Sequence, residues 1–522
     1  MDVHAAWVEA VETTRTTLRA RGEARWVEGT VSGAARWIDT ALPEHARRLA
    51  DEVVGRAVRS GHAPTPRSLV TLEEALDALA DAVAADLRAW EAPRAYTITR
   101  RLVASEEGVL DRRGTDTRDP LGTAPVPDVV VVADDNRHLL RALARDGIAL
   151  DAVVEDPPYA TGSPDLPYDD AFPPGAWEAL VAEHLALVHD ALAPHGQAVL
   201  HIDEHRVTAL QTQVRARFGD GHLGAAVWDK RNPKGDARGL AMRHEHLVWA
   251  VRDRDALWAR GGLWRTKPDV HRLLARAAAL VAEHPGDLPA AQAAWRAWLR
   301  AEPGLSEGTR AYRNLDPDGR VWRPVSLAWP RKTPAPPTYF DPVRHPVTGE
   351  PCPVPRRGWR APPATLQRLA AEGRLRFGAD HRTQPTKATF LDEVVRERVP
   401  SVIAHAGADD AVQARRGLDF AYAKPLALVT QLLEIAAPRA EALVLDGFGG
   451  SGTTAEAALR LTAGGHRVRC LVAEVDPGVR QTALLPRLAA ALAEPWARGR
   501  SVVVLGPASP GGPPLRSLTR WP

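Results

Sequence analysis

The stretch E-D-P-P-Y, residues 155–159, carries groups that could bind a planar ring bearing an amino group. It follows a run, 148–154, that is apolar except for Asp151, is too short for a helix and predicts one buried strand. The Asp156 carboxylate would therefore leave the sheet at the carboxyl end of a strand, where open α/β sheets bind ligands. Because two consecutive prolines remove two N–H donors and fix φ, the turn is stiff and its carbonyls are free. A ring could stack on Tyr159 while its amine donates to Asp156 and to a prolyl-turn carbonyl. The residues predicted to be catalytic are Asp156, Pro157, Pro158 and Tyr159. The same tetrapeptide also suits an ordinary strand-to-loop turn.

A second stretch with chemical potential lies near the C-terminus, where the run 442–446 predicts a strand that ends in Asp446. A turn of sequence G-F-G-G-S-G-T-T follows and opens a helix at Ala455, so a ligand could approach its backbone closely. Glu474, 28 residues after Asp446, ends the next predicted strand and could accept hydrogen bonds from both ribose hydroxyls of a nucleoside. The residues predicted to bind a cofactor here are Asp446, Phe448, Gly449, Gly450, Ser451, Gly452, Thr453 and Glu474.

The composition of this turn favours a nucleoside without phosphates. Its spacing is not G-x-G-x-x-G, and it lacks the Lys of a phosphate-binding loop. The Asp446 carboxylate would repel phosphates and attract a cation. S-adenosylmethionine, a zwitterionic nucleoside with a sulfonium, is therefore the expected cofactor. The alternative is a Gly-rich turn that only reverses the chain.

The length and overall composition are typical of an ordinary soluble protein. A length of 522 residues predicts two to four domains, and 45% hydrophobic with 25% charged residues is a globular composition. The net charge of +2 neither demands nor excludes a nucleic-acid partner. The only two cysteines, Cys352 and Cys470, lie far apart, so neither disulfides nor a zinc site is expected. No signal peptide or membrane-spanning run is visible, and these features together predict a cytoplasmic protein.

Patterning along the chain separates two α/β segments with an interruption between them. The N-terminal part reads as helical, most clearly from Thr71 to Trp90, and a polar linker follows at 111–127. The fold class is therefore predicted as α/β, with a mostly parallel sheet. The predicted segments are a helical extension 1–118, an α/β half 125–253, an insert 254–420, a second α/β half 421–505 and a flexible tail 506–522.

The insert differs in composition from both halves. Residues 310–400 hold 17 Lys/Arg against 9 Asp/Glu, an excess of 8 positive charges in a chain whose total is +2. Pro-rich irregular sequence with scattered aromatic residues runs from 324 to 363, and residues 268–301 read as helical. Basic, aromatic-bearing irregular segments are typical of contacts with nucleic-acid backbones and grooves. The alternative is a solvated, loop-rich surface domain.

These motifs resemble those of the amino-group DNA methyltransferases. D-P-P-Y at 156–159 resembles their catalytic motif, and 446–454 resembles their S-adenosylmethionine loop. The catalytic motif precedes the cofactor loop, an order similar to that of the beta class, which includes the modification subunits of Type III restriction–modification systems. Further matching segments are Asp135-Asn136, Trp228-Asp229-Lys230, His244-Glu245-His246, Lys424-Pro425, Tyr312 to Pro330 and Gly358-Trp359. The loops of the family often read Asp-Pro-Phe, and Gly447 at the Pro position is expected to loosen the turn.

The resemblance implies a Rossmann-like, S-adenosylmethionine-dependent methyltransferase fold with permuted motif order and an inserted target-recognition region. It adds Asp135 and Lys424 to the cofactor-binding residues. It implies that the target base is flipped out of duplex DNA, stacked on Tyr159, and methylated on its amine by direct attack without a covalent enzyme intermediate. It also implies double-stranded DNA as substrate, a homodimer, and a helicase–nuclease restriction subunit as possible partner.

Several alternatives remain at this stage. Adenine N6 is the expected target because position 156 is Asp rather than Ser, but cytosine N4 methylation uses the same chemistry. Methylation of protein glutamine uses a related Pro-Pro-Tyr motif, yet places the cofactor loop before it. A DNA-binding partner subunit with a decayed pocket is the non-enzymatic alternative.

The H-E-H segment contains two histidines, His244 and His246, that flank Glu245. Their i, i+2 spacing on a predicted strand places both on one face, as in some metal sites. Since the sequence shows no third ligand nearby, hydrogen bonding within the fold is the expected role, and no metal is expected.

Overall fold

The computed structural model provides the coordinates of the protein. It describes residues 94–106, 108–113, 126–161, 172, 175–231, 240–267, 269–405, 413–414, 416–418, 420, 423–438 and 441–508. The predicted helix 71–90, most of the predicted linker and most of the predicted tail lie outside these residues. The tail prediction, 506–522, is wrong at residues 506–508, which form the end of a strand paired within the sheet.

The elements alternate strand and helix in both α/β segments. The strands are β1 (Ala95–Ser105), β2 (Gly108–Arg113), β3 (Val129–Val132), β4 (Leu150–Glu155), β5 (Leu192–Ile202), β6 (His222–Asp229), β7 (His244–Val251), β8 (Trp264–Thr266), β9 (Asn314–Leu315), β10 (Val321–Ser326), β11 (Leu375–Arg376), β12 (Thr386–Phe390), β13 (Arg396–Arg398), β14 (Val402–Ala404), β15 (Glu441–Asp446), β16 (Arg467–Ala473) and β17 (Ser501–Ala508). The helices are α1 (Asn136–Asp146), α2 (Ala176–Ala191), α3 (Val207–Phe218), α4 (Arg254–Ala259), α5 (Val270–Glu283), α6 (Leu288–Ala301), α7 (Glu307–Arg310), α8 (Pro363–Ala371), α9 (Leu426–Ala436), α10 (Thr453–Ala463), α11 (Pro477–Val479) and α12 (Leu485–Leu492), with a π-helical turn, Arg480–Leu484, between the last two.

The chain divides into two compact units, residues 264–399 and the residues on either side of them. The flanking unit contains one mixed sheet in the order β14-β6-β7-β5-β4-β15-β16-β3-β17-β1-β2. Six neighbours, from β5 to β17 in that order, run parallel. Their carboxyl ends therefore meet at one edge. The predicted α/β fold with a Rossmann-like parallel core is confirmed, and so is the permuted order, since the D-P-P-Y strand β4 precedes its neighbour β15 in sequence.

The parallel strands form because their side chains are apolar on both faces. All four valines of β3 are buried, as are the last five residues of β15. Helices pack over these strands, and the Trp177 side chain of α2 is fully buried in the same core. Two side chains of β4 also bond to the backbone of the β15 segment: Asp151 accepts from the Leu443 N–H, and Glu155 accepts from the Gly447 N–H. The catalytic strand and the cofactor strand are thus held in fixed register.

The prediction of a helical extension over 1–118 is wrong from residue 95 to residue 113. There the chain forms the antiparallel hairpin β1–β2, and β1 pairs with β17. Tyr96, Leu102 and Ala104 are buried, whereas the alternating residues 101, 103 and 105 are only half-buried. This period of two is a strand pattern, and pairing with β17 stabilises it.

The insert is smaller than the predicted 254–420. Helix α4 contacts β5, and β14 pairs with β6, so residues on both sides of 264–399 belong to the large sheet's unit. The 264–399 unit has its own core, in which α5 and α6 pack around the buried Trp295. It also contains an antiparallel sheet, β11-β12-β10-β9, and the ribbon β13-β8. Among the residues that the structure describes, no helix is both long and apolar enough to cross a bilayer.

Candidate active site

The D-P-P-Y turn begins directly after Glu155, the last residue of β4. One oxygen of Asp156, Oδ2, lies 2.6 Å from the Lys424 Nζ. The other, Oδ1, is buried and accepts no hydrogen bond from the described part of the chain. The Trp177 indole N–H donates to the Pro158 carbonyl over 2.6 Å, and this bond pins the turn to α2. The turn therefore presents a carboxylate with one acceptor atom still unpaired.

A partly buried ion cluster surrounds this carboxylate. Lys424 also lies 3.6 Å from Glu245 Oε2, and Lys230 donates to the other oxygen of Glu245 over 2.8 Å. Burial alone would raise the pKa of Glu245, but the two lysines reverse this effect and lower it to about 2. The Tyr159 hydroxyl donates to Glu245 over 3.1 Å. The Lys424 Nζ lies 5.0 Å from the centre of the Tyr159 ring. Glu245 thus holds both Tyr159 and Lys424, although the sequence marks it only as part of the matching H-E-H segment.

His201 of β5 lies close to this ion cluster, and sequence reasoning did not identify it. It is buried, and its Nδ1 has no hydrogen-bond partner within the described residues. Burial, with Lys424 as a smaller cause, lowers the pKa of His201 to about 4, although Asp156 and Glu245 act in the opposite direction. The imidazole is therefore uncharged at neutral pH. A polar residue within an otherwise apolar strand segment was the available sequence signal.

The Gly-rich loop after β15 is held by hydrogen bonds that its backbone N–H groups donate to residues at the end of β16. Gly449 N–H donates to the Ala473 carbonyl, and Gly450 N–H donates to Glu474 Oε2 over 2.8 Å. A Cβ on Gly449 would lie 2.5 Å from Val472, so only glycine fits there. Gly450 and Gly452 have φ of +46° and +78°, which also favour glycine. Glu474 therefore faces the loop, as the sequence predicts, and burial raises its pKa.

Asp446 is buried at the end of β15 and accepts from the Phe448 N–H over 3.1 Å. Burial raises its pKa well above the usual range, and the nearby carboxylates Glu155 and Asp156 add to the rise, against the hydrogen bonds from Thr454 and Phe448. The carboxyl ends of these neighbouring strands therefore bring several acids together. A cation bound among them would relieve their mutual repulsion.

The far side of the loop is supported by a buried ion pair. Arg487 Nε donates to Glu456 over 2.7 Å, and both side chains are fully buried. The same guanidinium donates to the hydroxyl groups of Ser451 and Thr453. The Thr453 hydroxyl contacts the Lys424 carbonyl over 3.4 Å, which connects the cofactor loop to the lysine beside Asp156.

A second buried network joins the cofactor loop to the catalytic strand. Glu155 Oε2 accepts from the Gly447 N–H over 3.2 Å, and Asn136 Nδ2 donates to the Gly447 carbonyl over 2.9 Å. His184 bridges the two side chains, with Nδ1 2.9 Å from Asn136 Oδ1 and Nε2 2.6 Å from Glu155 Oε1. Its ring also contacts Phe448 edge-on. Sequence reasoning did not identify Glu155, Asn136 or His184 as site residues.

This network shows that Gly447 does not loosen the turn, and that expectation is wrong. A Cβ at this position would lie 2.8 Å from Glu155 Oε2 and 3.0 Å from His184. A proline would also lack the N–H that Glu155 accepts. Glycine is the residue that fits beside Glu155, and both its N–H and its carbonyl are bonded.

Asp135 differs in place from the other candidates. It caps α1 by accepting from the Arg137 N–H, and both its oxygens contact the Arg137 guanidinium. Although burial opposes it, Arg137 lowers the pKa of Asp135. The next residue, Asn136, is the one that reaches the cofactor loop. The structure thus brings together every predicted site residue at one edge of the sheet, with Asp135 turned toward α1.

A glycine-rich loop after one strand and a D-P-P-Y turn after its parallel neighbour are the two motifs that resemble those of the amino-group methyltransferases. The chain belongs to the N6/N4 DNA methylase family: the family model described as DNA methylase matches residues 150–464, more than half of the chain.

Two similar proteins are Mod subunits of Type III restriction–modification enzymes. The EcoP15I Mod subunit of Escherichia coli is 24% identical over 62% of this chain and 54% of its own length. The StyLTI Mod subunit of Salmonella typhimurium is 23% identical over 64% of this chain and 50% of its own. The chain thus spans about half the length of these relatives. The solved PvuII DNA methyltransferase, cytosine-N4-specific, aligns over 72% of this chain and 96% of its own at 11% identity, with a TM-score of 0.32 that is too low to support an assignment.

Proposed function

We propose that the protein transfers a methyl group from S-adenosylmethionine to the N6 amino group of adenine in duplex DNA, at a specific site. The observation that carries the proposal is the pairing of β4 with β15, which sets the D-P-P-Y turn beside the glycine-rich loop. The Glu155–Gly447 hydrogen bond holds the two at one edge of the sheet. Family membership supports the reaction class, and the Mod relatives support a role in restriction–modification.

The loop residues fit S-adenosylmethionine. A Cβ on Gly449 would clash with Val472, and positive φ favours glycine at Gly450 and Gly452, so the loop has a bare backbone that a ligand can approach closely. Glu474 keeps lone pairs for ribose hydroxyls besides those used by backbone N–H groups. A sulfonium bound nearby would lower the raised pKa of Asp446 and so favour its carboxylate form. When bound, the cofactor supplies a methyl group activated by positive charge on sulfur. Phe448, Ser451, Thr453 and Lys424 shape the surroundings, while Asp135 acts through α1 by placing Asn136.

The D-P-P-Y turn fits a flipped base that carries an amine. Flipping costs a few kcal/mol, and stacking on Tyr159 returns roughly 1–3 kcal/mol. The unpaired Oδ1 of Asp156 can accept one amine N–H. Since Trp177 occupies the Pro158 carbonyl, and the Pro157 carbonyl accepts no bond within the described residues, Pro157 is the acceptor for the other N–H. Two acceptors in this arrangement turn the amine lone pair toward the cofactor side, and positioning supplies the rate.

Cytosine N4 methylation is the second candidate, because the family holds both kinds of enzyme and the same two acceptors suit either amine. The deciding experiment is methyl transfer from labelled S-adenosylmethionine to unmethylated duplex DNA, followed by mass spectrometry of the nucleosides. N6-methyladenine is expected. N4-methylcytosine would overturn the base assignment alone. No transfer despite measured cofactor binding would favour a DNA-binding subunit with a decayed pocket, or a substrate such as protein glutamine.

Residues 264–399 are proposed to recognise the target sequence. Basic side chains lie over aromatic rings on this unit: Arg376 over Trp322, Arg323 over Tyr312 and Arg398 over Trp264, at 4.1–5.1 Å from the ring centres. Such pairs hold guanidinium groups in place while leaving charge available to phosphates. Duplex affinity should fall steeply with salt, and charge removal here should reduce the salt slope without changing cofactor affinity.

The expected setting is the cytoplasm, with a restriction subunit and a second copy of the chain as partners. The Mod relatives support the first partner, and the homodimer rests on the family resemblance alone. Sedimentation of the protein with and without duplex DNA would show whether two copies of the chain associate. A strictly monomeric, fully active enzyme would contradict it.

A further inference from the structure

Outside the cluster around Asp156, one group of potential metal ligands is assembled at the same sheet edge. His244 and His246 project from one face of β7, and Glu204 follows β5. His246 Nε2 lies 2.8 Å from Glu204 Oε2, and His244 Nε2 lies 3.8 Å from the same oxygen. The ligand atoms of all three lie within 4.8 Å of one another. The third ligand that the sequence did not show is therefore Glu204.

Strand pairing explains why these residues meet. β5 and β7 are antiparallel, and Ile202 lies opposite His246. Glu204 stands in the turn just after β5, and its contact with His246 places its side chain on the face of β7 that carries His244 and His246. Because β7 pairs with β5 on one side and β6 on the other, both imidazoles stand on a strand that is fixed from both edges.

The geometry points to a transition-metal site, and we propose that His244, His246 and Glu204 bind one Zn²⁺-like divalent ion. Ligands about 2.1 Å from a tetrahedral ion are separated by about 3.4 Å. The two measured separations, 2.8 and 3.8 Å, lie on either side of that value. The Glu204 carboxylate is half-exposed, so rotation of its side chain can equalise them.

The chemistry of the ligands selects the kind of ion. Two imidazoles and one carboxylate suit zinc, cobalt, nickel or copper, whereas magnesium and calcium prefer ligand sets made of oxygen. Three protein ligands on a tetrahedral ion leave one position for water or another ligand.

The position of the site gives it a mechanical role for the proposed reaction. His244 and His246 flank Glu245, whose side chain leaves β7 on the opposite face to contact Lys424 and Tyr159. A metal that joins the start of β7 to the end of β5 would fix the backbone that carries Glu245. We therefore expect metal binding to stabilise the wall of the base pocket and to take no part in methyl transfer itself.

The test uses the full-length, tag-free chain after treatment with a chelator. Titration with Co²⁺ should give one bound ion per chain and the visible absorption of a site with nitrogen ligands, and Zn²⁺ should displace it. Zn²⁺ should also raise the melting temperature of the protein, because only the folded chain has the assembled site.

Three substitutions make the test specific. His246→Ala and His244→Ala should each weaken metal binding at least about tenfold. Glu204→Gln is the sharper variant, because a glutamine oxygen can still accept from His246 while the carboxylate ligand is lost. His205→Ala, which removes an exposed histidine paired with Asp203, is the matched control and should bind metal normally.

Two results would overturn the proposal. One is no metal binding by the wild-type chain at micromolar Co²⁺ or Zn²⁺. The other is binding that survives Glu204→Gln and His246→Ala equally, which would identify an adventitious metal only. A failure of methyl transfer in the separate assay with DNA would concern the proposed function and not the metal site, since ion binding and melting temperature are measured without DNA or cofactor.

Discussion

The two halves of the candidate active site are held in different ways. In the cofactor loop, the N–H groups of Gly447, Gly449 and Gly450 all donate to protein acceptors. At the D-P-P-Y turn, Asp156 keeps a buried oxygen without a partner in the described residues, and its other oxygen is paired with Lys424. Buried polar atoms without partners are rare and call for an explanation. The protein therefore pairs the N–H groups of the loop by itself, whereas the turn keeps an acceptor that the amine of the proposed substrate would use.

The largest effect is expected from breaking the base side alone. Asp156→Ala removes the unpaired acceptor, and we expect methyl transfer to fall by about 10²–10³-fold or more. Cofactor affinity should stay within about threefold, because the loop's own bonds do not involve Asp156. Calorimetric titration and labelled methyl transfer measure the two separately, and Asp203→Ala is a control at the same sheet edge. A parallel loss of cofactor affinity would contradict the division into two halves.

Breaking the cofactor side should have the opposite signature. Gly447→Ala places a Cβ 2.8 Å from Glu155, so the loop must shift. We expect cofactor affinity to fall at least about tenfold and stability to fall by roughly 1–3 kcal/mol. Gly464→Ala, where the nearest atom would lie at an ordinary 3.4 Å, is the control and should be nearly neutral. Unchanged cofactor affinity in Gly447→Ala would show that the loop tolerates movement.

A finer substitution sharpens the link between the halves. Glu155→Gln removes one of the acceptor sites used by Gly447 and His184, and we expect cofactor affinity to weaken roughly 5–30-fold, equivalent to about 1–2 kcal/mol. Asp151→Asn disturbs the other bond between β4 and the β15 backbone, at Leu443, and should reduce stability only. In the double variant with Gly447→Ala and Glu155→Gln, the loss of cofactor affinity should be smaller than the sum of the two single losses in free energy. Full additivity would mean that the two residues act independently.

The smallest effect concerns pH. The pKa of Glu245 is about 2 in the folded protein, below its usual 4.5, so its ion pairs stabilise the fold fully above pH 4.5. This stabilisation is lost as the pH falls from 4.5 through about 2. Lys424→Met removes one of the two lysines and should raise the folded-state pKa of Glu245 toward 4.5, so the loss of stability should be smaller and complete at a higher pH. Urea unfolding between pH 3 and pH 6 measures it, with the exposed Lys332→Met as control. Identical pH profiles for both variants would show that Lys424 does not set this pKa.

Residues that act locally could be predicted from the sequence. Each parallel strand near the site is an apolar, β-branched run followed by an acid or a turn, as at Asp156 and Asp446. Glycines forced by backbone geometry, such as Gly450 and Gly452, also lie within one continuous motif. These signals depend on neighbours in the chain, and the structure brings the residues together as the motifs imply.

Residues that depend on distant partners could not be predicted. Glu155, Asn136 and His184 come from three separate segments, and only the parallel pairing of β4 and β15 reveals what they share. Glu204 becomes a third metal ligand only through the antiparallel pairing of β5 with β7. The hairpin 95–113 was read as helix because its partner β17 lies about 400 residues later in the chain.

The order of the strands also governs how the protein is made. Glu155 and Gly447 are 292 residues apart, and at 5–20 residues per second the ribosome needs about 15–60 s to produce the second after the first. Strands β16 and β17, which flank β3, and strand β15, which pairs with β4, are synthesised only after this delay. During that time, apolar strand edges at the centre of the future sheet have no partner, which exposes the nascent chain to aggregation. Fragments that end before residue 441 should therefore depend on chaperones, and the site forms only once the final strands are released.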